Sequence, residues 1–156
     1  MTDLALRELT VRYGNRDAVH PLSLTVPSGG WLCLIGPNGA GKSSVMRATC
    51  GLAPHGGVIA IAGEETAAMT ARERARRVAY VPQAPVLPAD MTVFDYVLLG
   101  RSPFISYFGS VSAQDRVIAN DILQRLDLAA FSDRMLSTLS GGESQRLKLA
   151  NYVSAA

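Results

Sequence analysis

The sequence predicts an α/β fold with an antiparallel β edge layer and a helical subdomain. Apolar residues run without interruption from residue 31 to 35, which is typical of a buried parallel strand. A glycine-rich turn follows this run, and then a helical stretch at 44–50 that Gly51 is predicted to end. From residue 92 onward, apolar residues recur at helical spacing. With 48% hydrophobic and 18% charged residues, the 156-residue chain fits one globular domain.

The edge layer is predicted from strands on both sides of the apolar run. Residues 4–11 and the alternating residues 22–26 favour half-buried antiparallel strands. Residues 27–30, Pro-Ser-Gly-Gly, supply the turn into the apolar run. Two further strands are predicted at 58–63 and at 78–81, the latter stopped by a proline.

The turn after the apolar run matches the phosphate-loop pattern G-x-x-x-x-G-K-[ST]. Its residues are Gly36, Pro37, Asn38, Gly39, Ala40, Gly41, Lys42 and Ser43. The glycines let successive N–H groups face anionic oxygens, and the N-terminus of the following helix adds partial positive charge. Lys42 can then reach the β- and γ-phosphates, and the Ser43 hydroxyl can hold Mg²⁺. The strand–loop–helix context therefore predicts a P-loop NTPase core that binds a nucleotide.

The second half is predicted to be mainly helical because N-cap signals precede its apolar stripes. Thr92 can cap a helix over residues 93–99, which Gly100 can end. Ser112 and Asp115 have the spacing of a capping box at the start of another helix. One face of that helix would carry Ile118, Ile122 and Leu126.

Charge and hydropathy argue against a nucleic-acid-binding protein and against a membrane-spanning or secreted one. The formal net charge of +2 is too small to indicate nucleic-acid binding. The basic run at residues 72–77 is interrupted by Glu73 and is typical of a solvated helix face. No apolar run approaches the ~20 residues that span a bilayer, and the first residues do not resemble a secretory leader.

The histidines and cysteines do not indicate a transition-metal site. His20 and His55 are isolated and lack ligand-like spacing to cysteines or carboxylates. Cys33 and Cys50 fall in the strand and the helix predicted on either side of the phosphate loop. Both are predicted to be buried small hydrophobic residues in a reducing compartment.

A second motif, Leu139-Ser140-Gly141-Gly142-Glu143, precedes a helical pattern at residues 144–153. Its serine and its glycine N–H groups can bind an anion, although an ordinary capped helix would have a similar local sequence. Together with the phosphate loop, the pentapeptide resembles the ATP-binding cassette (ABC) family of transporter ATPases, whose signature sequence it matches. The resemblance covers essentially the whole chain.

The resemblance implies ATP and Mg²⁺ as cofactors. Tyr13 would stack on adenine, with a core tyrosine at a strand end as the alternative. Gln83, at the end of a predicted core strand, would sense Mg²⁺ and the membrane partner, with a plain loop residue as the alternative. Ser43 and Gln83 would be the residues that face the metal. The implied ATP-binding set is Tyr13, Gly36, Pro37, Asn38, Gly39, Ala40, Gly41, Lys42, Ser43, Ser44 and Gln83.

The resemblance also implies a composite site between two subunits. Ser140, Gly141, Gly142 and Glu143 of one subunit would close over the ATP on the partner's loop, most simply in a homodimer. In the family, the signature helix is followed by a strand ending in a Mg²⁺-binding Asp and a water-polarising Glu, and later by a histidine. Residues 1–156 contain no counterpart of these three, so no catalytic residue is assigned and the chain is expected to be inactive alone.

The expected organisation is a single partial ATP-binding domain that lacks the C-terminal part of the cassette. Residues 1–83 would form the α/β nucleotide-binding core, and 84–138 the helical subdomain. Residues 139–156 would hold the signature motif and the start of its helix, cut in mid-course.

Residues 92–103 are the more discriminating stretch within the family. With residues 104–108, they resemble importers of iron–siderophore, haem or cobalamin complexes, in which the Leu-Gly-Arg segment lies near the membrane permease. The alternative is that Phe104, Tyr107 and Phe108 only form a packed loop cluster. The implied protein is peripheral, at the cytoplasmic face of the membrane, and works with a permease and indirectly a substrate-binding protein, without nucleic acid.

Other classes remain as alternatives. They are an ABC ATPase of another transporter class and a soluble ABC ATPase of DNA repair or translation. Repair types insert a long coiled coil, and no heptad pattern lies between Gly51 and Leu139. Translation types carry paired cassettes and basic linkers, which this sequence does not show. The signature pentapeptide and Gln83 argue against an unrelated P-loop GTPase or kinase.

Overall fold

The structure of the chain is a computed structural model that describes residues 3–83, 87–106 and 109–154. The chain forms two compact units, the first ending at Val78 and the second beginning at Ala79. Within the described ranges, no helix is both long enough and apolar enough to cross a bilayer.

An antiparallel sheet forms the base of the first unit. Strand β1 (Leu4–Tyr13) pairs with β2 (Arg16–Val26) on one side and with β3 (Gly56–Ile61) on the other. The short strand β4 (Glu64–Glu65) pairs with β3, which gives the order β2-β1-β3-β4. The predicted antiparallel edge layer is confirmed, and its first two strands extend further than their hydrophobic patterns.

Helix α1 (Lys42–Thr49) packs against this sheet through the buried side chains of Val45 and Ala48. The helix ends at Gly51, as predicted, where φ is 68° and the N–H donates to the carbonyl of Ala48 at 2.8 Å. The core of the first unit consists of Leu6, Leu9, Val11, Val19, Val45, Ala48 and Ile59. This core fixes the start of α1 relative to β1 and β2.

The two predicted core strands are wrong, because residues 31–35 and 78–81 are not strands. Trp31 is 100% exposed and Ile35 is 90% exposed. Cys33 is also exposed, contrary to its predicted burial, and Cys50 is only half-buried. A strand needs a neighbour for its N–H and C=O groups, and within the described ranges neither segment pairs with one.

The basic run forms the short helix α2 (Ala71–Ala75), which buries none of its residues. The prediction of a solvated helix face is therefore confirmed. Thr70 and Glu73 form a capping box at its start, in which the Thr70 N–H donates to the Glu73 carboxylate at 2.8 Å. These bonds from Thr70 lower the pKa of Glu73.

The second unit is helical, as predicted. It contains α3 (Val93–Leu99), α4 (Ala113–Arg125) and α5 (Gly141–Ser154). Thr92 caps α3, and Ser112 forms a capping box with Asp115 at α4, so both predicted N-termini are confirmed. In the predicted apolar stripe, Ile122 is buried, whereas Ile118 and Leu126 are partly buried and pack against the same core. The most deeply buried core residues are Val93, Val97, Ala119, Leu123, Leu128, Leu147 and Ala150.

Helices α3 and α5 meet at Gly100, directly after α3. A Cβ at this position would overlap the Ser154 side chain and the carbonyl oxygen of Asn151. The Ser154 hydroxyl donates to the carbonyl of Val97 at 2.7 Å. Glycine therefore permits the close approach that aligns the C-terminal end of α5 with α3.

Arg101 connects the same helices to α4. Its guanidinium donates to the Ser154 carbonyl at 2.8 Å and to the Asp115 carboxylate at 3.2 Å, and it lies 3.9 Å from the centre of the Phe104 ring. The Leu-Gly-Arg segment thus has a packing function inside this unit, and its position near a permease stays a prediction. Tyr107 and Phe108 of the suggested aromatic cluster lie outside the described residues.

Candidate functional site

The phosphate loop has the backbone conformation that its glycines permit. Gly39 and Gly41 have φ values of 85° and 84°, in the left-handed region that other residues rarely adopt. The Ala40 N–H donates to the carbonyl of Pro37 at 3.3 Å and closes the turn. A Cβ at Gly41 would also overlap the carbonyl oxygen of Ala18, so this glycine brings the loop against β2.

The loop ends at a helix N-terminus that its own side chains leave open. Gly41 is the N-cap of α1 and provides no side-chain cap, and the first turn contains no acidic residue. Within the described ranges, no acceptor pairs with the amide groups of Lys42, Ser43 and Ser44. Open N–H groups and the positive end of the helix dipole together favour an anion at this point.

Lys42 places its ammonium group inside the loop. Its Nζ donates to the carbonyl oxygens of Gly36 and of Pro37, both at 2.7 Å. Ser43 follows on the first turn of α1 and is exposed. A cation, open amides and a hydroxyl therefore lie together on a short loop, which is the donor set that a triphosphate requires.

A pocket of about 290 Å³ lies beside the loop in the first unit. Residues 18–22 of β2 form one wall, and Leu34, Ile35 and Val45 contribute apolar side chains. Lys42 also lines it. The pocket is mainly apolar, and Lys42 is the cation that it shares with the loop.

Tyr13 ends strand β1 with 45% of its surface exposed. Its ring is therefore available for stacking and is not the core tyrosine of the alternative interpretation. Arg16 lies directly opposite Tyr13 in the β1–β2 register. A Cβ at Gly39 would lie 4.0 Å from Nη2 of Arg16, which places this guanidinium beside the phosphate loop. Sequence reasoning missed Arg16, although the two-residue turn Gly14-Asn15 could have indicated its position.

The signature motif forms a capped helix start in the second unit. The Ser140 N–H donates to the Glu143 carboxylate at 2.6 Å, and the Ser140 hydroxyl accepts from the Glu143 N–H at 3.4 Å. These bonds from Ser140 lower the pKa of Glu143. Gly141 and Gly142 are exposed, and a Cβ at either would meet no described atom within 4 Å. Glu143 thus organises its own helix, and the two glycines are left exposed.

Arg134 supports this helix start, and sequence reasoning did not identify it. One guanidinium nitrogen donates to the Thr138 carbonyl at 2.6 Å, and another lies 3.8 Å from the Glu143 carboxylate. The segment before the signature is further held by a bridge between Thr92 and Met135. No local motif could have revealed Arg134, because its partners depend on the folding of the preceding loop.

Gln83 is exposed and follows a segment that is not a strand, so its predicted place at the end of a core strand is wrong. Within the described ranges, no group of three or more histidine, cysteine or acidic residues could hold a metal ion. Mg²⁺ does not require such a group of side chains, since it keeps several waters and binds through phosphates and one or two protein oxygens. The Ser43 hydroxyl beside the loop is compatible with such a site.

Comparisons with known proteins agree with these features. Residues 19–156 match the family of ABC transporters, ABC_tran. The iron(3+)-hydroxamate import ATP-binding protein FhuC of Bacillus subtilis is 34% identical over 96% of this chain and 56% of its own length. The hemin import ATP-binding protein HmuV of Rhizobium meliloti is 37% identical over 94% of this chain and 55% of its own length. The chain thus spans about half the length of the curated relatives it matches.

Solved structures give the same result for the fold. An inward-facing transporter of the metal-chelate ABC type is 25% identical, with a TM-score of 0.78 over 99% of this chain and 56% of that one. A nucleotide-free ATP-binding cassette has a TM-score of 0.83 at 23% identity, over 99% of this chain and 66% of that one. Since the family match also extends over most of the sequence, the chain belongs to the ABC transporter family.

Proposed function

We propose that the chain is the nucleotide-binding part of an ABC subunit that couples ATP hydrolysis to import of a metal chelate. The observation that carries the proposal is the convergence of the Lys42 ammonium and the open first-turn amides of α1 on one loop. Relatives named for iron-hydroxamate, hemin and siderophore transport support the cargo class. Iron–siderophore, haem or cobalamin complexes are the chelates we propose.

In this proposal, the loop binds the phosphates of ATP, and Lys42 neutralises charge on the β- and γ-phosphates. The Ser43 hydroxyl would contribute to the Mg²⁺ shell, and the bound metal would offset charge on the same phosphates. Tyr13 offers its exposed ring to adenine. The other residues of the phosphate loop, apart from Pro37, would bind the phosphates through their backbone N–H groups.

The site is proposed to be completed by a second subunit. Ser140, Gly141, Gly142 and Glu143 of one copy would face the ATP on the loop of the other, in a two-fold homodimer. The accessible glycines at the start of α5 are consistent with that use. The dimer would dock on an integral membrane permease at the cytoplasmic face of the membrane, and a substrate-binding protein would deliver the chelate to the permease.

Hydrolysis is proposed to require groups that we do not identify in residues 1–156. A positioned general base typically contributes ~10²–10⁴-fold to a rate. Since no residue is assigned to that role here, we expect this chain to bind ATP weakly and not to turn it over by itself.

The experiment measures ATP and GTP affinity of the chain by titration calorimetry for the wild type, Lys42→Ala and Gly141→Asp. Lys42→Ala removes the main cation of the loop and should weaken ATP binding about tenfold or more. Gly141→Asp acts only when a partner closes, so its ATP affinity as a single chain should match the wild type. ATP should be preferred over GTP.

Arg47→Ala is the matched control, because Arg47 is an exposed cation on the same helix but outside the loop. Equal affinity of Lys42→Ala and the wild type would refute the nucleotide site. Equal loss in Lys42→Ala and Gly141→Asp would instead assign the signature to the fold of its own chain. Co-purification with a permease supports the transport assignment, and co-purification with ribosomes or DNA contradicts it.

A further inference from the structure

We propose that Arg16 is a second cation of the nucleotide site and binds the polyphosphate group directly. This assignment rests on the proposed function, since it concerns the ligand held by the phosphate loop. Arg16 lies outside the loop motif, at the first residue of β2. Its role depends on the hairpin that carries it and on its distance from Gly39.

The β1–β2 hairpin fixes the side on which Arg16 projects. Tyr13 and Arg16 face each other across a two-residue loop, where Gly14 has a φ of 57°. Directly opposed residues of an antiparallel pair share one face of the sheet. Arg16 therefore projects on the same side as the exposed Tyr13 ring.

In the next residue pair of the β1–β2 ladder, the carboxylate adjacent to Arg16 is bound by another arginine. Arg12 lies opposite Asp17 and binds it through two nitrogens, at 2.6 and 3.2 Å. Both donors go to Asp17, so this carboxylate is engaged on the other face. Within the described ranges, Arg16 forms no ion pair, and it is exposed.

The guanidinium then reaches the phosphate loop. Its Nη2 lies 4.0 Å from the position of a Cβ at Gly39, which is ordinary van der Waals contact. Since Gly39 has no side chain, nothing of that residue separates the guanidinium from the loop backbone. A planar guanidinium matches two phosphate oxygens at once, which a lysine ammonium does not.

Lys42 and Arg16 thus approach the loop from different elements. Lys42 enters from α1 and binds the carbonyls of Gly36 and Pro37, whereas Arg16 enters from β2 at Gly39. No acidic residue is present in the loop or in the first turn of α1. A ligand with several negative charges, such as a nucleoside triphosphate, is the chemistry that this pair of cations would attract.

The test compares Arg16→Gln with the wild type in titrations with ATP and with inorganic tripolyphosphate. Arg16→Gln should weaken both ligands by a similar factor of about tenfold, the loss expected for one charge-assisted contact. Arg16→Lys keeps the charge but not the planar fork, and its affinity should lie between the two. Arg7→Gln is the matched control, because it removes another exposed arginine, from β1, and should leave both affinities unchanged.

Each result of these titrations supports or contradicts a specific role of Arg16. Weaker ATP binding with unchanged tripolyphosphate binding would overturn the polyphosphate contact and place Arg16 at the base or the ribose. Unchanged binding in Arg16→Gln, with binding lost in Lys42→Ala, would overturn the Arg16 assignment alone. Absence of ATP binding by the wild type would refute the proposed function, and this inference with it.

Discussion

Lys42 is already held in the loop to which it is proposed to bring a phosphate. Its ammonium group is bonded to the carbonyls of Gly36 and Pro37, so the long side chain has a fixed direction. Ordering a free lysine side chain costs up to about 2 kcal/mol. Because the Lys42 side chain is already ordered in the structure, phosphate binding should lose less conformational entropy.

Gly41 allows the backbone and the charge of the loop to be tested separately. Gly41→Ala places a Cβ against the carbonyl of Ala18 and at a φ of 84°. We expect it to lower the free energy of unfolding by about 2–5 kcal/mol, the sum of a left-handed alanine and of overpacking. ATP affinity should fall because the loop moves away from β2. Urea unfolding and ATP titration measure the two effects.

Gly63→Ala is the control for that experiment. Gly63 also has a positive φ, 77°, but a Cβ there would meet no described atom within 4 Å. It should cost only about 1 kcal/mol, for the left-handed conformation, and leave ATP affinity unchanged. Equal effects of the two variants would show that the contact between the loop and β2 is unimportant.

Helix starts in this protein differ in whether their own side chains close them. At α4, the Ser112 hydroxyl accepts from the Asp115 N–H at 3.1 Å, and the Asp115 carboxylate accepts from Ser112. At α5, Ser140 and Glu143 use the same arrangement. The N-terminus of α1 has no such cap. The open start of α1, next to a glycine loop, suits a ligand bound by that loop.

The capping box of α4 predicts a pH-dependent stability. Hydrogen bonds from the Ser112 hydroxyl and N–H, followed by the contact with Arg101, lower the pKa of Asp115. The stabilisation should be complete above the ordinary carboxyl pKa and disappear as the pH falls through the lowered folded value. Thermal unfolding of Asp115→Asn should therefore occur at a lower temperature than that of the wild type near pH 7, with the difference closing in acid.

Asp121→Asn is the control on the same helix, because Asp121 pairs with Arg125 on the exposed face, at 2.8 Å. It should leave the melting temperature nearly unchanged at either pH. Ser112→Ala should cost about 1 kcal/mol, as expected for loss of an N-cap. A difference between Asp115→Asn and the wild type that persisted in strong acid would contradict the assigned cause.

Across the whole molecule, features that depend on neighbouring residues were predicted better than features that depend on pairing with distant segments. The phosphate loop, the caps at Thr92 and Ser112 and the helix end at Gly51 depend on a few neighbouring residues, and the structure contains them. The strands predicted at 31–35 and 78–81 depend on pairing with remote segments, which a hydrophobic pattern cannot supply. Arg16 and Arg134 were missed for the related reason that their surroundings are determined by a hairpin and by a folded loop.

The absence of the predicted strand at residues 31–35 can be tested on the intact chain. Trp31 is the single tryptophan of the chain and is 100% exposed. Its fluorescence should therefore match that of a solvated indole, be quenched freely by acrylamide and change little on unfolding in urea. A buried strand would instead give blue-shifted emission and protection until the unfolding transition. Trp31→Phe should remove the signal while retaining the unfolding midpoint, because a fully exposed side chain contributes little to stability. Protected Trp31 emission in the folded chain would mean that residues 31–35 find a strand partner in solution.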